Sequence, residues 1–299
     1  MPSSSQTLLV TGASGHLGRR VVELLLEADA GPIIATTRTP EKLADLAAKG
    51  VEVRFADFDQ PESLAAAFAG ADRLFLVSTD MLMVPGHRLV QHRAAVDAAV
   101  QAGVQHVLYT SLIRPEPGTP ISLAPDHYGT EQALVNSPLD WTFLRNNVYT
   151  DGFLMSLPQA IARGSLVAAT GEGGAAYITR EDCARAAAAA LASSTTGRYI
   201  LNITGPDVVT HAELAAIASE ISGKKVDYVS LPAQELTNLL SGTGLPQPVV
   251  DLIVSFDTAV AQGFLDEVSS TVTDLTGRPP QSVRDFLFAH RDALLGANG

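Results

Sequence analysis

Three glycines fall at G-x-x-G-x-x-G spacing in the run Val10-Thr11-Gly12-Ala13-Ser14-Gly15-His16-Leu17-Gly18. The run follows a short apolar stretch, Thr7-Leu8-Leu9-Val10, and opens a segment with helical spacing at Leu17, Val21, Leu24 and Leu25. In that setting each glycine has its own task. Gly12 permits a tight turn, Gly15 lets backbone approach a pyrophosphate, and Gly18 lets the helix pack closely on the strand. The helix N-terminus adds free amide hydrogens and the positive end of a dipole. A glycine motif alone is weak, but strand before and helix after supply the context it needs. Gly12, Ser14, Gly15, His16, Leu17 and Gly18 are therefore assigned to the phosphates of a dinucleotide.

The end of the second strand, Ile33-Ile34-Ala35-Thr36-Thr37, decides which dinucleotide. A site that prefers NADH places an acid there for the ribose hydroxyls. Here Arg38 follows, with no acid before Glu41. A guanidinium can fork onto a 2′-phosphate and stack on adenine, which points to NADPH. Asp57 and Phe58, after the third strand, are placed to meet adenine, and an ordinary loop cap is an equal reading of them. Ser78 and Thr79, after the fourth strand, are assigned to the cofactor ribose.

Those positions require a particular scaffold. Strand-like runs at 51–55, 74–77 and 107–110 alternate with helical segments at 64–68 and 89–102. Thr39-Pro40 reads as a helix cap. A proline-rich loop at 114–125 precedes a helix over 126–136 and a strand at 141–144. The pattern is α/β, a Rossmann-type doubly wound parallel sheet with a smaller C-terminal α/β lobe. We expect a nucleotide-binding domain over 1–152 and a substrate lobe over 153–299, with segments near 178–204 returning to the first domain. Runs at 166–169 and 175–178 flank Gly171-Glu172-Gly173-Gly174 as in a hairpin. Thr179 to Asp182 and Thr210 to Glu213 read as capping boxes. A strand at 199–203 follows, and the last stretch is mainly helical.

Bulk composition narrows the partners. Hydrophobic residues make up 46% and charged residues 17%, as in an ordinary globular protein. The formal charge of −12 comes with no Lys/Arg run, which argues against nucleic acid and against an anionic membrane surface. Cys183 is the only cysteine, so an internal disulfide or cysteine metal cluster cannot form. It reads as a small buried residue. His87 and His92 lie five apart without a carboxylate cluster, so no metal site is expected. The start, Met1-Pro2-Ser3-Ser4-Ser5-Gln6, lacks a basic region followed by an apolar stretch, and no window is long and apolar enough to span a bilayer. We expect a soluble, cytoplasmic protein with a loose N-terminal tail, acting on a small molecule. Self-association stays open, and a homo-oligomer is compatible with the pattern.

From TGASGHLG through TRTPEKL, ADFD, LFLVST, HVLYTSL and DHYGTEQAL to LDWTFLRNNVYTDGF and YITREDCA, the chain resembles the short-chain dehydrogenase/reductase superfamily. Within it, the sequence is similar to the atypical NmrA-like branch, and there to flavin-free type 2 NADPH:quinone reductases and triphenylmethane dye reductases. Ordinary members carry Ser, Tyr and Lys, the last two as Y-x-x-x-K. Here Ser111 stands at the serine position and Tyr128 is present, but the partner four residues on is Gln132. A phenol with no ammonium beside it is a poor acid-base group near neutrality. Reduction of a simple ketone makes an alkoxide that needs a proton donor. A quinone spreads the new charge over an aromatic ring, and a cationic dye becomes neutral. The resemblance thus implies hydride transfer to a quinone-like or similar flat acceptor.

It also implies a nicotinamide site along the segment after the sixth strand. Asn146 and Asn147 would bond the carboxamide or the acceptor oxygen, with Asn147 and Ser111 on the cofactor side. Tyr149, Tyr128 and Phe153 would face the substrate. His127 is the one group on its helix that titrates near neutrality, and it would donate to a quinone oxygen. Core packing or loop capping stays open for Asn146, Asn147, Tyr149 and Phe153, and an ordinary surface helix histidine for His127. Two other functions share the glycine turn: a redox sensor that binds the dinucleotide without turnover, and a reductase of an aromatic polyketide-like compound.

Overall fold

The computed structural model describes residues 6–296, so most of the N-terminal tail lies outside the described residues. Among the described residues there are eleven strands: β1 Leu8–Val10, β2 Ile33–Thr37, β3 Glu52–Phe55, β4 Arg73–Leu76, β5 His106–Leu112, β6 Asp140–Asn146, β7 Ser165–Ala168, β8 Gly174–Ala175, β9 Arg198–Ile203, β10 Val209–Thr210 and β11 Asp227–Ser230. Seven form one parallel sheet in the order β3-β2-β1-β4-β5-β6-β9. This is the Rossmann-type doubly wound sheet that the alternating pattern predicts.

The strands β1, β2, β4 and β5 are buried along their whole length because helices cover both faces. Side chains alternate between two cores. Leu8 and Val10 of β1 join Val21, Val22 and Leu25 of the helix His16–Glu27 and the alanines of Arg180–Ala192. Leu9 faces the other way, into a core with Phe68, Val96, Tyr109 and Leu134. The small side chains of Arg180–Ala192 allow that helix to lie closely on His16–Glu27.

One buried charge joins distant parts of the chain. Arg73, at the start of β4, is 2% exposed. Its Nε donates to Leu191 O at 2.9 Å, Nη1 to Thr195 O at 2.8 Å and Nη2 to Ala190 O at 3.1 Å. The guanidinium thereby takes up two carbonyls that the end of helix Arg180–Ala192 leaves without intrahelical partners, and a third from the segment after it.

The C-terminal lobe has its own core, including Leu157, Ile161, Leu214, Ile217, Val260 and Phe286. The expected hairpin is absent: β7 pairs with β11 in parallel, and β8 pairs with β10 antiparallel. The glycine run turns the chain away from β7, and Gly173 presses on helix Gln247–Ala261 so tightly that a Cβ would lie 2.2 Å from Val260 O. Thr39 makes no side-chain cap. Thr179 accepts from Asp182 N, but the reciprocal bond of a capping box is missing there, whereas Thr210 and Glu213 form a complete box. Among the described residues no helix is long and apolar enough to cross a membrane.

Asp257 is an isolated acid in this lobe. Its Oδ2 accepts from Ala169 N at 2.7 Å, and burial raises its pKa to about 6. A carboxyl raised above its unfolded value is a stabilising element only while protonated, so stability is lost as pH rises from about 4 through about 6. Asp257→Asn keeps an acceptor for Ala169 and removes the charge. We expect the variant to be more stable than the parent by roughly 2–3 kcal/mol at pH 8, the difference vanishing below about pH 4. Urea midpoints across that range check this; a pH-independent difference would contradict it.

Candidate functional site

The glycine turn is built by contacts that only glycine tolerates. Gly12 adopts φ +59, and a Cβ on Gly18 would stand 2.5 Å from Gly12 O. Gly15 donates to Gly12 O at 2.9 Å and leads into helix His16–Glu27 with extended backbone, φ −85 and ψ 165. The amides of the first helical turn have no intrahelical acceptor and lie at the C-terminal edge of the sheet. Ser14 Oγ lies 2.8 Å from Thr37 Oγ1, which ties the turn to the end of β2.

The turn forms one wall of a cleft of about 290 Å³. Arg38 from the end of β2, Asp57 and Phe58 from beyond β3, and Ser78 and Thr79 from beyond β4 complete it. Sequence reasoning had named all of these. It missed Val77, Met81 and Gln91, which also line the cleft, because an apolar loop residue or a glutamine on a helix carries no local signal. His16 and Leu17 do not line the cleft with their side chains. His16 borders a separate pocket with Asp151 and Arg180, and Leu17 packs against the core.

Arg38 is exposed and makes no side-chain hydrogen bond or ion pair among the described residues. Asp59, whose carboxyl feels the Arg38 charge, has its hydrogen bonds elsewhere. Its Oδ1 lies 2.8 Å from Gln91 Nε2 and 2.6 Å from His87 Nε2. These bonds, Gln91 first, hold the Asp59 carboxyl below the usual range. An open glycine-lined floor, helix-end amides and an unpaired guanidinium fit the phosphates of NADPH. Asp57 has two surroundings. It lines the cleft, while its carboxylate accepts from Asp59 N at 3.0 Å and Gln60 Nε2 at 3.2 Å.

Several residues expected to meet a ligand are engaged within the protein. Thr79 lines the cleft and donates its hydroxyl hydrogen to Gln91 Oε1 at 2.7 Å, which leaves its oxygen only as an acceptor. Ser111 Oγ donates to Glu131 Oε1 at 2.6 Å. Glu131 is 2% exposed and receives Arg145 Nε at 2.9 Å and Nη2 at 2.7 Å. Ser111 is thus tied into a buried ion pair, and it does not line the cleft. Asn147 donates from Nδ2 to Leu265 O at 3.0 Å and caps Val148 N, so its amide pins the C-terminal lobe. Phe153 packs edge-on against Tyr177, with centroids 4.8 Å apart, as part of the lobe's core.

His127 is the largest correction. It points inward, with Nδ1 3.0 Å from Tyr109 Oη and Nε2 3.4 Å from Arg88 Nη2. Burial, then the Arg88 charge, push its pKa well below the ordinary histidine value. A neutral imidazole in the core cannot deliver a proton to the cleft at neutral pH.

Asn146 and Tyr149 do stand together at the end of β6. Asn146 Nδ2 donates to Tyr149 Oη at 3.0 Å, and Arg180 lies 5.1 Å from the ring centroid. Burial raises the Tyr149 phenol above its ordinary pKa, so it stays protonated. Tyr128 is half-buried on helix Ala124–Val135, beside Gly129, whose missing side chain makes room for Leu89. Cys183 is buried, and burial raises its thiol pKa. Among the described residues no group of three His, Cys, Asp or Glu is arranged to hold a metal ion.

Residues 12–194 match a family described as NAD(P)H-binding. The chain is 34% identical over 279 residues to Quinone oxidoreductase 2 of Escherichia coli, covering 93% of this chain and 96% of that one. Among solved structures it is similar to an NADPH-dependent quinone oxidoreductase from Escherichia coli complexed with NADPH, with TM-score 0.88, 34% identity and coverage of 94% and 98% of the two chains. It is also similar to the Citrobacter sp. triphenylmethane reductase complexed with NADP(H), with TM-score 0.86, 34% identity and coverage of 97% and 99%.

Proposed function

The chain belongs to the NAD(P)H-binding family, and from that premise we propose that it is an NADPH-dependent oxidoreductase. It passes a hydride to a quinone or a similar flat, electron-poor acceptor without a flavin. The observation that carries this reading is the unpaired Arg38 over a cleft floored by the glycine turn. Similarity to a quinone oxidoreductase and a dye reductase supports the acceptor class.

NADPH, when bound, supplies the hydride. The turn amides hold the pyrophosphate, and Arg38 takes the 2′-phosphate. The wall from Ser78 to Met81 closes the opposite side. We assign the acceptor to Asn146 and Tyr149, which stand together at the end of β6: Tyr149 accepts from Asn146, and its own hydrogen is left to donate. Neither Tyr149 nor His127 is a strong acid near neutrality. The acceptor must therefore tolerate the arriving electron pair without concerted protonation. A quinone does so by delocalising charge over a ring and then takes a proton from water. A cationic dye does so by neutralisation.

The test is to follow NADPH absorbance with a panel of quinones and cationic dyes, with no flavin added. We expect acceptor-dependent oxidation at stoichiometry one. Tight NADPH binding with no turnover on any acceptor would replace this reading with that of a redox sensor.

A further inference from the structure

We infer that His92 is a positioning residue for the cofactor site, fixing Thr79, and with it the Ser78–Met81 wall, without itself touching the cleft. This rests on the reading that the cleft takes NADPH.

Thr79 is held by every polar group it owns. Its N–H donates to His92 Nε2 at 3.0 Å, its hydroxyl to Gln91 Oε1 at 2.7 Å, and its carbonyl accepts from Arg88 Nε at 2.8 Å. All three partners lie on one turn of helix His87–Ala102. Gln91 also donates to Asp59 Oδ1 at 2.8 Å, so the same turn connects the wall after β4 to the loop after β3 on the other side of the cleft.

His92 is fully buried. What the imidazole adds is one acceptor and one donor in fixed directions. Because Nε2 receives the Thr79 amide, the ring proton must sit on Nδ1, 2.9 Å from Thr130 Oγ1. Thr130 in turn donates to Asp126 O at 2.7 Å. The relay thus anchors the wall to the neighbouring helix Ala124–Val135. Burial, reinforced by Arg88, drops the His92 pKa to about 3, so the ring remains a neutral acceptor throughout the working range.

Beyond Thr79 the chain has little else to order it. Between Asp80 and His87 the backbone bonds are Leu82 N to Asp80 O, His87 N to Val84 O and Val90 N to Gly86 O, and Met83 and Val84 are exposed. Without the Thr79 anchor, binding NADPH would have to order this wall. Fixing one additional backbone residue costs about a tenfold loss in affinity.

The experiment compares His92→Leu and His92→Gln in the full chain by titrating NADPH fluorescence, with kcat at saturating NADPH alongside. In His92→Leu the NADPH dissociation constant is expected to rise about tenfold while kcat stays within about twofold. His92→Gln restores an acceptor near the Nε2 position, and its affinity should return to within about threefold of the parent. A dissociation constant in His92→Leu within twofold of the parent overturns the inference, as does a Gln variant as weak as Leu. Thr130→Val, which keeps His92 but removes the oxygen orienting its ring, covers the case in which the Leu variant does not fold. A rise of about threefold supports the clamp, and parental affinity overturns it. Binding is read without an acceptor, so a parent that binds NADPH but reduces nothing would refute the proposed reaction and leave this result intact.

Discussion

Arg38→Ala is expected to raise the NADPH dissociation constant by about 10–100-fold while changing that for NADH by no more than about threefold. The asymmetry follows from where the guanidinium stands. It lines the cleft at the end of β2, is exposed, and has no protein partner among the described residues to lose. Truncation therefore leaves no orphaned charge, and stability should hardly change. A hydrogen-bonded phosphate contributes about 1.5–3 kcal/mol, and only NADPH carries one at the 2′ position. Arg38→Lys should recover part of the affinity but not the bidentate geometry. Parallel fluorescence titrations with the two cofactors decide the matter, and equal losses would remove Arg38 from the 2′-phosphate.

Glu131→Gln is expected to destabilise the fold by about 3 kcal/mol. Glu131 and Arg145 form two parallel bonds in the interior, so the substitution leaves a guanidinium without its buried counterion. Glu116, half-exposed and 2.7 Å from Arg145 Nη2, keeps the loss from being larger. The double change Glu131→Leu with Arg145→Met should recover much of it, because an apolar pair pays no desolvation cost. Denaturant midpoints check both; a Gln variant within about 1 kcal/mol of the parent would show that the pair is already well solvated. Ser111→Ala, by contrast, should leave NADPH affinity unchanged, since that hydroxyl is spent on Glu131.

What the sequence reveals here is what local pattern controls. The apolar runs of β1 and β2 are legible because a strand buried on both faces has no polar alternation to obscure it. The glycine turn is legible because positive φ at Gly12 and the Gly18 contact each exclude a side chain. Arg38 is legible because its position relative to β2 fixes its neighbourhood. The acceptor side is not. Ser111, His127 and Asn147 are satisfied by Glu131, Tyr109 and Leu265, and nothing near each residue in sequence announces Leu265, 118 positions from Asn147. Helix Ala124–Val135 carries His127 inward and Tyr128 outward, and both faces mix polar with apolar residues, so spacing could not tell them apart. Arg73 reads as the boundary of β4 because a charge in a buried strand needs partners that lie more than a hundred residues away.

That arginine also sets limits on how the molecule can be assembled or divided. A chain emerging from synthesis completes its glycine turn early, yet the guanidinium of Arg73 has no carbonyls to meet until Ala190, Leu191 and Thr195 arrive. Until then the guanidinium lacks these three hydrogen-bond acceptors in the middle of the sheet. Fragments ending near residue 152 should consequently be poorly stable however well their nucleotide loops are formed, and the nucleotide-binding half matures only after the chain has crossed into the second lobe and come back.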